Sequence, residues 1–399
     1  MTLLESQTAG MQAKNTSRID AKVVFLTHYI PLYQVRVLQS LAASISDFQV
    51  LLSTPIEPNR DFTPDWTGLD VSVQDTWTFR RKWKHREAGF DDSLYVHIPY
   101  DTTSRLKKLN PDVVMSLELG ARSVGAAMYC LRNPQTKLVL CTYMSERTEQ
   151  GRGVLRGMIR KGLIKRADAI TYNGPSCHQY LKQIGAPEEQ LFPLPYAADD
   201  RTLYHGPVGR CDDATRHRLL VVGQLSERKG VLPLVEQVSQ YALENRARNI
   251  ELVFAGNGPL RDEIQSIVGP ENLTVSVLGN LTPTELSEEM LRCGAMIAPS
   301  LADEWMLVVN ESLHAGLPVI GSIHAQAVTT LIRDEVNGWQ YDPQVDESLA
   351  RVLDRYFNAS SEAIGKMRIA ARESVSDRTP EWAAAGALDA IRHVLKSKS

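Results

Sequence analysis

The feature that most constrains this chain is an alternation of short apolar runs and helical segments that lapses once and then begins again. The run 22–27 (KVVFLT) is continuous in the manner of a strand buried on both faces of a parallel sheet. Val35, Leu38, Leu41 and Ala42 follow at helical spacing, and 48–52 reads as a second strand. Further strands are expected at 113–117, 137–142 and 169–172, each after a helix-like stretch. Strands alternating with helices make a doubly wound α/β domain. Between Asp199 and His217 the pattern gives way to polar residues with Gly206, Pro207 and Gly209. It resumes at 218–222, 251–255, 274–278, 295–298 and 318–321, so a second Rossmann-like domain is expected. Thr379-Pro380-Glu381-Trp382 starts a last helix, with Thr as cap and Pro at the first helical position, running to about 394.

This divides the chain into a disordered leader (1–19), a first domain (20–200), a linker (201–217), a second domain (218–378) and a terminal helix (379–399). With 399 residues there is room for two separate cores. A net charge of −3 shows no sign of a nucleic-acid binder. Five scattered cysteines, never paired as CxxC, argue against a disulfide framework or zinc site and fit a reducing compartment. No apolar stretch approaches the roughly 20 residues of a membrane span. The first residues lack a basic region followed by an apolar core, so no signal peptide is read there. A cytoplasmic protein, at most peripheral at the inner membrane face, is the expectation.

Open α/β sheets bind ligands at the C-terminal ends of their strands. In the second domain the strand 218–222 runs into Gly223-Gln224-Leu225-Ser226-Glu227-Arg228-Lys229-Gly230 and a helix from about Val231. A helix start attracts phosphate, and Lys229 and Arg228 add full charges. An exposed basic turn is the plainer alternative. The segment is neither a Walker loop nor a dinucleotide fingerprint. Gly256-Asn257-Gly258-Pro259 ends another strand and reads equally as a plain turn. In SLADEWMLVVNESLHAGLPVI (300–320), Asp303 and Glu311 flank an apolar run. Ionised carboxylates accept hydrogen bonds and sugar hydroxyls donate them, although two solvated acids would look the same.

GQLSERKG, FAGNGPLRDE, VLGNLTPTEL, APSLADEWMLVVNESLHAGLPVIGS and LIRDEVNGW occur in this order. The ordered set resembles the donor domain of retaining GT-B glycosyltransferases of family 4. The first domain resembles the family more loosely, in ADAITYNGPSCHQYLKQIGAP. The resemblance implies two facing Rossmann-like domains with a C-terminal helix crossing back to the first. It implies that Lys229 neutralises a donor diphosphate, Glu311 holds the ribose hydroxyls, and Asp303 contacts the transferred sugar. Glu304 competes for that role; Asp303 is preferred because Trp305 then falls where the family has an aromatic residue. Leu278, Gly279 and Thr282 would lie against the base, and Gly223, Gln224, Gly256 and Leu307 complete the donor-binding set. Gln224 stands in place of the family's usual arginine, Met306 in place of a glycine, and His324-Ala325-Gln326-Ala327 where a glycine pair is expected.

The implied activity is retaining transfer of a hexose from a nucleoside diphosphate sugar, UDP- or GDP-linked, to a saccharide or lipid-linked acceptor in polysaccharide or glycoconjugate synthesis. Lys229, Arg228 and the helix start serve the leaving diphosphate by preorganised electrostatics. No DxD motif appears at a strand end, so metal independence is expected, with no cofactor. An epimerase-like GT-B enzyme and a catalytically weak sugar-binding protein are the alternatives. On the acceptor side His28, Glu118 and Glu146 sit at expected strand ends, where an ordinary loop residue is an equal reading. Two basic stretches, Arg80–Arg86 and Arg152–Arg166, suggest contact with anionic lipid headgroups. In the second, Leu155, Met158, Ile159 and Leu163 run opposite Arg152, Arg156 and Arg160; packing of that stripe on the sheet is the simpler expectation.

Overall fold

The computed structural model describes residues 18–396 apart from 59, 61, 151 and 152, so most of the expected leader, and Arg152, lie outside the described residues. The chain divides into two compact units. One comprises Met1–Trp83, Ser93–Asp199 and Thr379–Ser399, the other Lys84–Asp92 and Asp200–Arg378.

The first unit is built on a seven-stranded parallel sheet. In chain order its strands are β1 (Ile19–Thr27), β2 (Ile45–Leu52), β3 (Asp70–Val73), then β6 (Val113–Leu117), β7 (Lys137–Cys141), β8 (Ala169–Tyr172) and β9 (Leu191–Pro193). Strands β4 (Thr76–Lys84) and β5 (Asp91–Pro99) form a separate hairpin. Spatially the large sheet runs β3-β2-β1-β6-β7-β8-β9. Val23, Val24 and Leu26 of β1 are all fully buried, as a strand covered on both faces requires. The helix Leu32–Ser44 buries Val35, Leu38 and Leu41. The terminal helix Pro380–Lys396 belongs to this unit, where Ala384, Ala387 and Ile391 join the core formed by Phe25, Val50 and Met115.

The second unit holds β10 (Arg218–Val222), β11 (Ile250–Ala255), β12 (Leu273–Gly279), β13 (Ala295–Ala298), β14 (Val319–Ser322) and β15 (Gly338–Tyr341). Their order is β12-β11-β10-β13-β14-β15, the Rossmann order 3-2-1-4-5-6. In each sheet the winding reverses once, between β1 and β6 and between β10 and β13. At such a reversal neighbouring connections leave on opposite faces, which opens a crevice at the strands' C-terminal ends.

The periodicity missed β3, β9 and β15, edge strands of three or four residues too short to show a pattern, and it missed the hairpin. There a signal existed: Trp77, Phe79 and Trp83 alternate with Thr and Lys/Arg at period two. A larger correction concerns the helix Val154–Arg166. Only Leu163 of the expected stripe is buried, with Ile164, whereas Leu155, Met158 and Ile159 are exposed. Arg160, expected on the solvated face, is buried in an ion pair with Glu149. A buried carboxylate draws the cation inward, and the helix turns its first half's apolar side to solvent.

Contact of the terminal helix with the sheet is close enough to exclude any side chain at Gly386, where a Cβ would lie 1.7 Å from the Pro193 carbonyl oxygen. Gly386→Ala therefore forces the helix off β9, and we expect a loss of about 1–3 kcal/mol, as for other overpacked cores. A melting temperature unchanged from wild type would show that the helix is not docked this way.

Candidate functional site

In the second unit, β10, β11 and β12 end side by side at Gly223, Gly256 and Gly279. The Gly223 amide donates to the Ala255 carbonyl (3.0 Å), and that of Gly256 to the Gly279 carbonyl (2.7 Å). At Gly256, φ is +146° and a Cβ would lie 2.0 Å from the Gly223 oxygen, so no other residue fits. The result is a low platform of backbone at the strand ends. Leu278 is exposed on it, as is Gln224. Thr282 caps the helix Pro283–Arg292 in a capping box with Glu285, so its side chain is already committed.

After Gly223 the chain makes one tight turn, Glu227–Lys229, and enters the helix Val231–Glu244 through Gly230. Arg228 is stitched to the segment following β13. Its carbonyl accepts from the Leu301 amide (2.9 Å), and its guanidinium donates to the Ala302 carbonyl (3.0 Å). The same guanidinium reaches Asp303 Oδ2 at 3.2 Å, and Lys229 Nζ reaches that oxygen at 2.5 Å. Two cations thus share one carboxylate across the β10–β13 reversal. Burial pushes the Asp303 carboxyl up, but Lys229 and then Arg228 outweigh it and hold it well below the usual carboxylate range. Both cations stand at the start of a 14-residue helix. That arrangement favours an anion.

The segment carrying Asp303 is held from behind. The Asp303 amide donates to the His324 carbonyl (3.0 Å), the Gln326 amide to the Asp303 carbonyl (3.4 Å), and His324 Nε2 meets Asp342 Oδ1 at 3.0 Å. The residues 324–327 that depart from the family's glycine pair are therefore the brace for Asp303. Trp305 donates its backbone N–H to Asp303 Oδ1 (3.2 Å) and its indole N–H to Asn310 Oδ1 (2.9 Å), with the ring buried. Its role in this segment is to fix the turn. Glu304 beside it is half-buried. Met306 is buried with φ +79°, a backbone that ordinarily favours glycine, and Leu307 then opens the helix Val308–His314. Glu311 is half-buried in its first turn.

In the first unit, His28 follows β1 and Glu118 follows β6, on either side of the other reversal. Glu118 has φ +66° and pairs at 3.8 Å with Arg122, a buried arginine that also donates to Ser53 Oγ (2.7 Å) and the Leu117 carbonyl (3.1 Å). Burial lowers the pKa of His28, with Glu118 opposing, so the imidazole is neutral near pH 7. The Glu118 side chain is 57% exposed, and His28 and Arg122 beside it hold its carboxyl below the ordinary value. Glu146 is exposed on the turn after β7, and no such link ties it to the pair among the described residues. Sequence reasoning missed Arg122, whose only signal was its spacing of four from Glu118. Among the described residues no group of three or more His, Cys, Asp or Glu is assembled as a metal site.

The family described as Glycosyl transferases group 1 matches residues 212–374, which contain the glycine platform, both cations and Asp303. Those residues form a glycosyl transferases group 1 domain. A curated relative, the alpha-D-kanosaminyltransferase of Streptomyces kanamyceticus, is 27% identical over 143 residues, 34% of this chain. The match spans only 36% of that relative's length. Among solved structures, the chain is similar to Anabaena Alr3699/HepE in complex with UDP at a TM-score of 0.70 and 16% identity, covering 94% of this chain and 100% of that one. It is also similar to the sucrose-phosphate synthase of Thermosynechococcus elongatus at a TM-score of 0.65 and 16% identity, covering 95% and 100%. These likenesses give the fold, GT-B, as the motifs implied.

Asp303→Asn removes the charge that Lys229 and Arg228 share, and the two cations then repel. We expect a loss of about 2 kcal/mol at pH 7, below the 3–5 of fully buried pairs because Arg228 is partly exposed. A depressed carboxylate stabilises the fold above its unfolded pKa, and that contribution is lost as pH falls from about 4 towards the folded value. The gap between wild type and variant in urea unfolding should therefore narrow below about pH 4. A gap constant with pH would show that the ion pair is not its source.

Proposed function

We propose that this chain is a retaining, metal-independent glycosyltransferase that moves a hexose from a nucleoside diphosphate sugar to a saccharide or lipid-linked acceptor. The observation that carries this is the Lys229–Arg228–Asp303 triangle at the β10–β13 reversal of a group 1 domain. In this reading the two cations and the start of the helix Val231–Glu244 stabilise the departing diphosphate. Glu311 takes the ribose hydroxyls, and the backbone at the exposed Leu278 and at Gly279 lies against the base. Thr282, used as a helix cap, contributes through its main chain alone. UDP is the first choice of nucleotide, because the similar Anabaena protein was solved with UDP and with UDP-glucose.

For the chemistry, the acceptor oxygen bonds to the anomeric carbon as the bond from that carbon to the diphosphate breaks. Attack comes from the face the diphosphate leaves, and the diphosphate takes the acceptor's proton, so the configuration is retained. Asp303 as a covalent nucleophile ranks second, since a carboxylate held by two cations is a poor nucleophile. His28, neutral, and Glu118, ionised, are assigned to the acceptor hydroxyl.

Thermal-shift measurements against UDP-, GDP- and ADP-sugars check the donor. One of them should raise the melting temperature by about 5–10 °C at a hundredfold excess over Kd, and Lys229→Met should abolish the rise. The product of the same donor in the presence of EDTA should show a retained anomer by NMR. An inverted product or a strict metal requirement would sink the mechanism, and turnover of donor without acceptor would favour the epimerase-like reading.

We also propose a cytoplasmic location against an anionic membrane surface. Among the described residues no helix is long and apolar enough to cross a membrane. The helix Val154–Arg166 instead exposes Val154 (81%), Leu155 (68%) and Met158 (59%) beside Arg156, Lys161 and Lys165. On β4, Trp77 (58%) and Phe79 (54%) are exposed among Arg80, Arg81, Lys82 and Lys84. Trp83 donates its indole N–H to the Gln150 carbonyl (2.9 Å), which ties the strand to the loop before the helix. Neither element contains an acidic residue, although the whole chain carries −3. Apolar insertion with flanking cations suits anionic headgroups. Wild type should co-sediment with phosphatidylglycerol vesicles at low salt and not with phosphatidylcholine vesicles. Leu155→Glu with Met158→Glu should release it, and equal binding to both vesicles would exclude the charge argument.

A further inference from the structure

Beside the Lys229–Arg228–Asp303 triangle, further strand ends of the second unit stand in a row. The sheet runs β10-β13-β14-β15, and the chain leaves β13 towards Asp303, β14 towards His324 and β15 towards Asp342. The backbones stay paired past the strands themselves. Asp303 and Ala325 form an isolated parallel bridge, and the Ile323 amide donates to the Tyr341 carbonyl (2.9 Å). Asp303 is thus one member of a row of polar residues along the sheet's C-terminal edge.

His324, in the middle of that row, is held from three directions. Its amide donates to the Ser322 hydroxyl (3.1 Å), and its carbonyl accepts from the Asp303 amide (3.0 Å). Its side chain, 10% exposed, brings Nε2 within 3.0 Å of Asp342 Oδ1. An ionised carboxylate only accepts, so Nε2 carries the proton in this contact. Asp342 is fixed in turn. The same oxygen accepts from the Gln344 amide (2.9 Å), and the Asp342 amide donates to Ser348 Oγ (3.1 Å) at the start of the helix Ser348–Asn358. A continuous path therefore runs from Asp342 through the imidazole to the backbone of Asp303, and from its carboxylate to both cations. Charged groups keep a productive geometry only when the groups behind them are themselves locked.

We propose that His324, fixed by Asp342, is a positioning residue for the outer phosphate of the donor's nucleoside diphosphate. It acts through Asp303: it sets where the shared carboxylate stands, and so how Lys229 and Arg228 are presented at the start of the helix Val231–Glu244. The proposal rests on the reading that these cations take the diphosphate. It adds that a contact two and three strands away from β10 governs how tightly they do so.

The test titrates the full chain by calorimetry with UDP and UMP, and with the GDP/GMP and ADP/AMP pairs alongside. Within a pair, the ratio of dissociation constants isolates the outer phosphate. His324→Ala should cut the preference for the diphosphate about tenfold while changing monophosphate affinity less than about twofold. His324→Gln keeps an N–H donor near the place of Nε2 and should retain most of the preference. Asp342→Ala should match His324→Ala, and the double variant should be no worse than either, as for two residues acting through one contact. If His324→Ala fails to fold, Asp342→Ala, at the more exposed partner, decides in its place. Equal losses for diphosphate and monophosphate, or an unchanged preference in a folded variant, overturn the proposal. Lys229→Met separates this from the underlying reading. A wild type that binds no diphosphate better than its monophosphate, or a preference that survives Lys229→Met, overturns the diphosphate reading itself. A preference lost in Lys229→Met yet kept in His324→Ala overturns only the role of His324.

Discussion

The parallel sheet imposes the constraint on which everything else in this protein depends. Parallel strands need crossovers, crossovers cover both faces, and so the strand interiors must be apolar and every strand end of one kind must lie along one edge. In the second unit that edge gathers Gly223, Gly256 and Gly279 into a platform and carries Asp303 across from the turn at Arg228 and Lys229. Asp303 lies more than 70 residues from the two cations it meets, and the three glycines end three separate strands. They meet because β10 is central and the winding reverses beside it.

A second constraint is electrostatic. Two cations at the start of a helix repel each other and any further positive charge. Asp303 relieves this at short range, and its own depressed pKa is the consequence. The brace formed by residues 324–327 keeps the carboxylate in place, and the inward-turned Trp305 anchors the turn. The turn before the helix Val308–His314 accepts a left-handed Met306. Stiffness of the segment then comes from hydrogen bonds on both sides of it.

Much of the fold was legible because burial on both faces leaves an unmistakable trace. The runs 113–117, 169–172, 218–222 and 295–298 coincide with strands β6, β8, β10 and β13. Edge strands of three or four residues leave no such trace. In β4 basic residues interrupt the period-two alternation, and helical periodicity misjudged Val154–Arg166. A helical wheel records which residues share a face and is silent on which face meets a buried Glu149. Among candidate site residues, the cations and acids were legible by type and order. Arg122 was not, since a polar residue on a helix is ordinary until its burial is known.

By itself the sequence determined the class of each unit, the positions of most strands, and a set of charged and glycine residues placed where strands end. Local chemistry is enough for this: apolar runs must be buried, and glycine is needed where no side chain fits. Only the tertiary structure decided that Asp303 is shared by Lys229 and Arg228, that Arg160 is drawn inside, and that Tyr196 packs against both Tyr33 and Tyr143. Each of these pairs groups brought together by strand order and by the turns between elements, and such contacts have no counterpart in the spacing of residues along the chain.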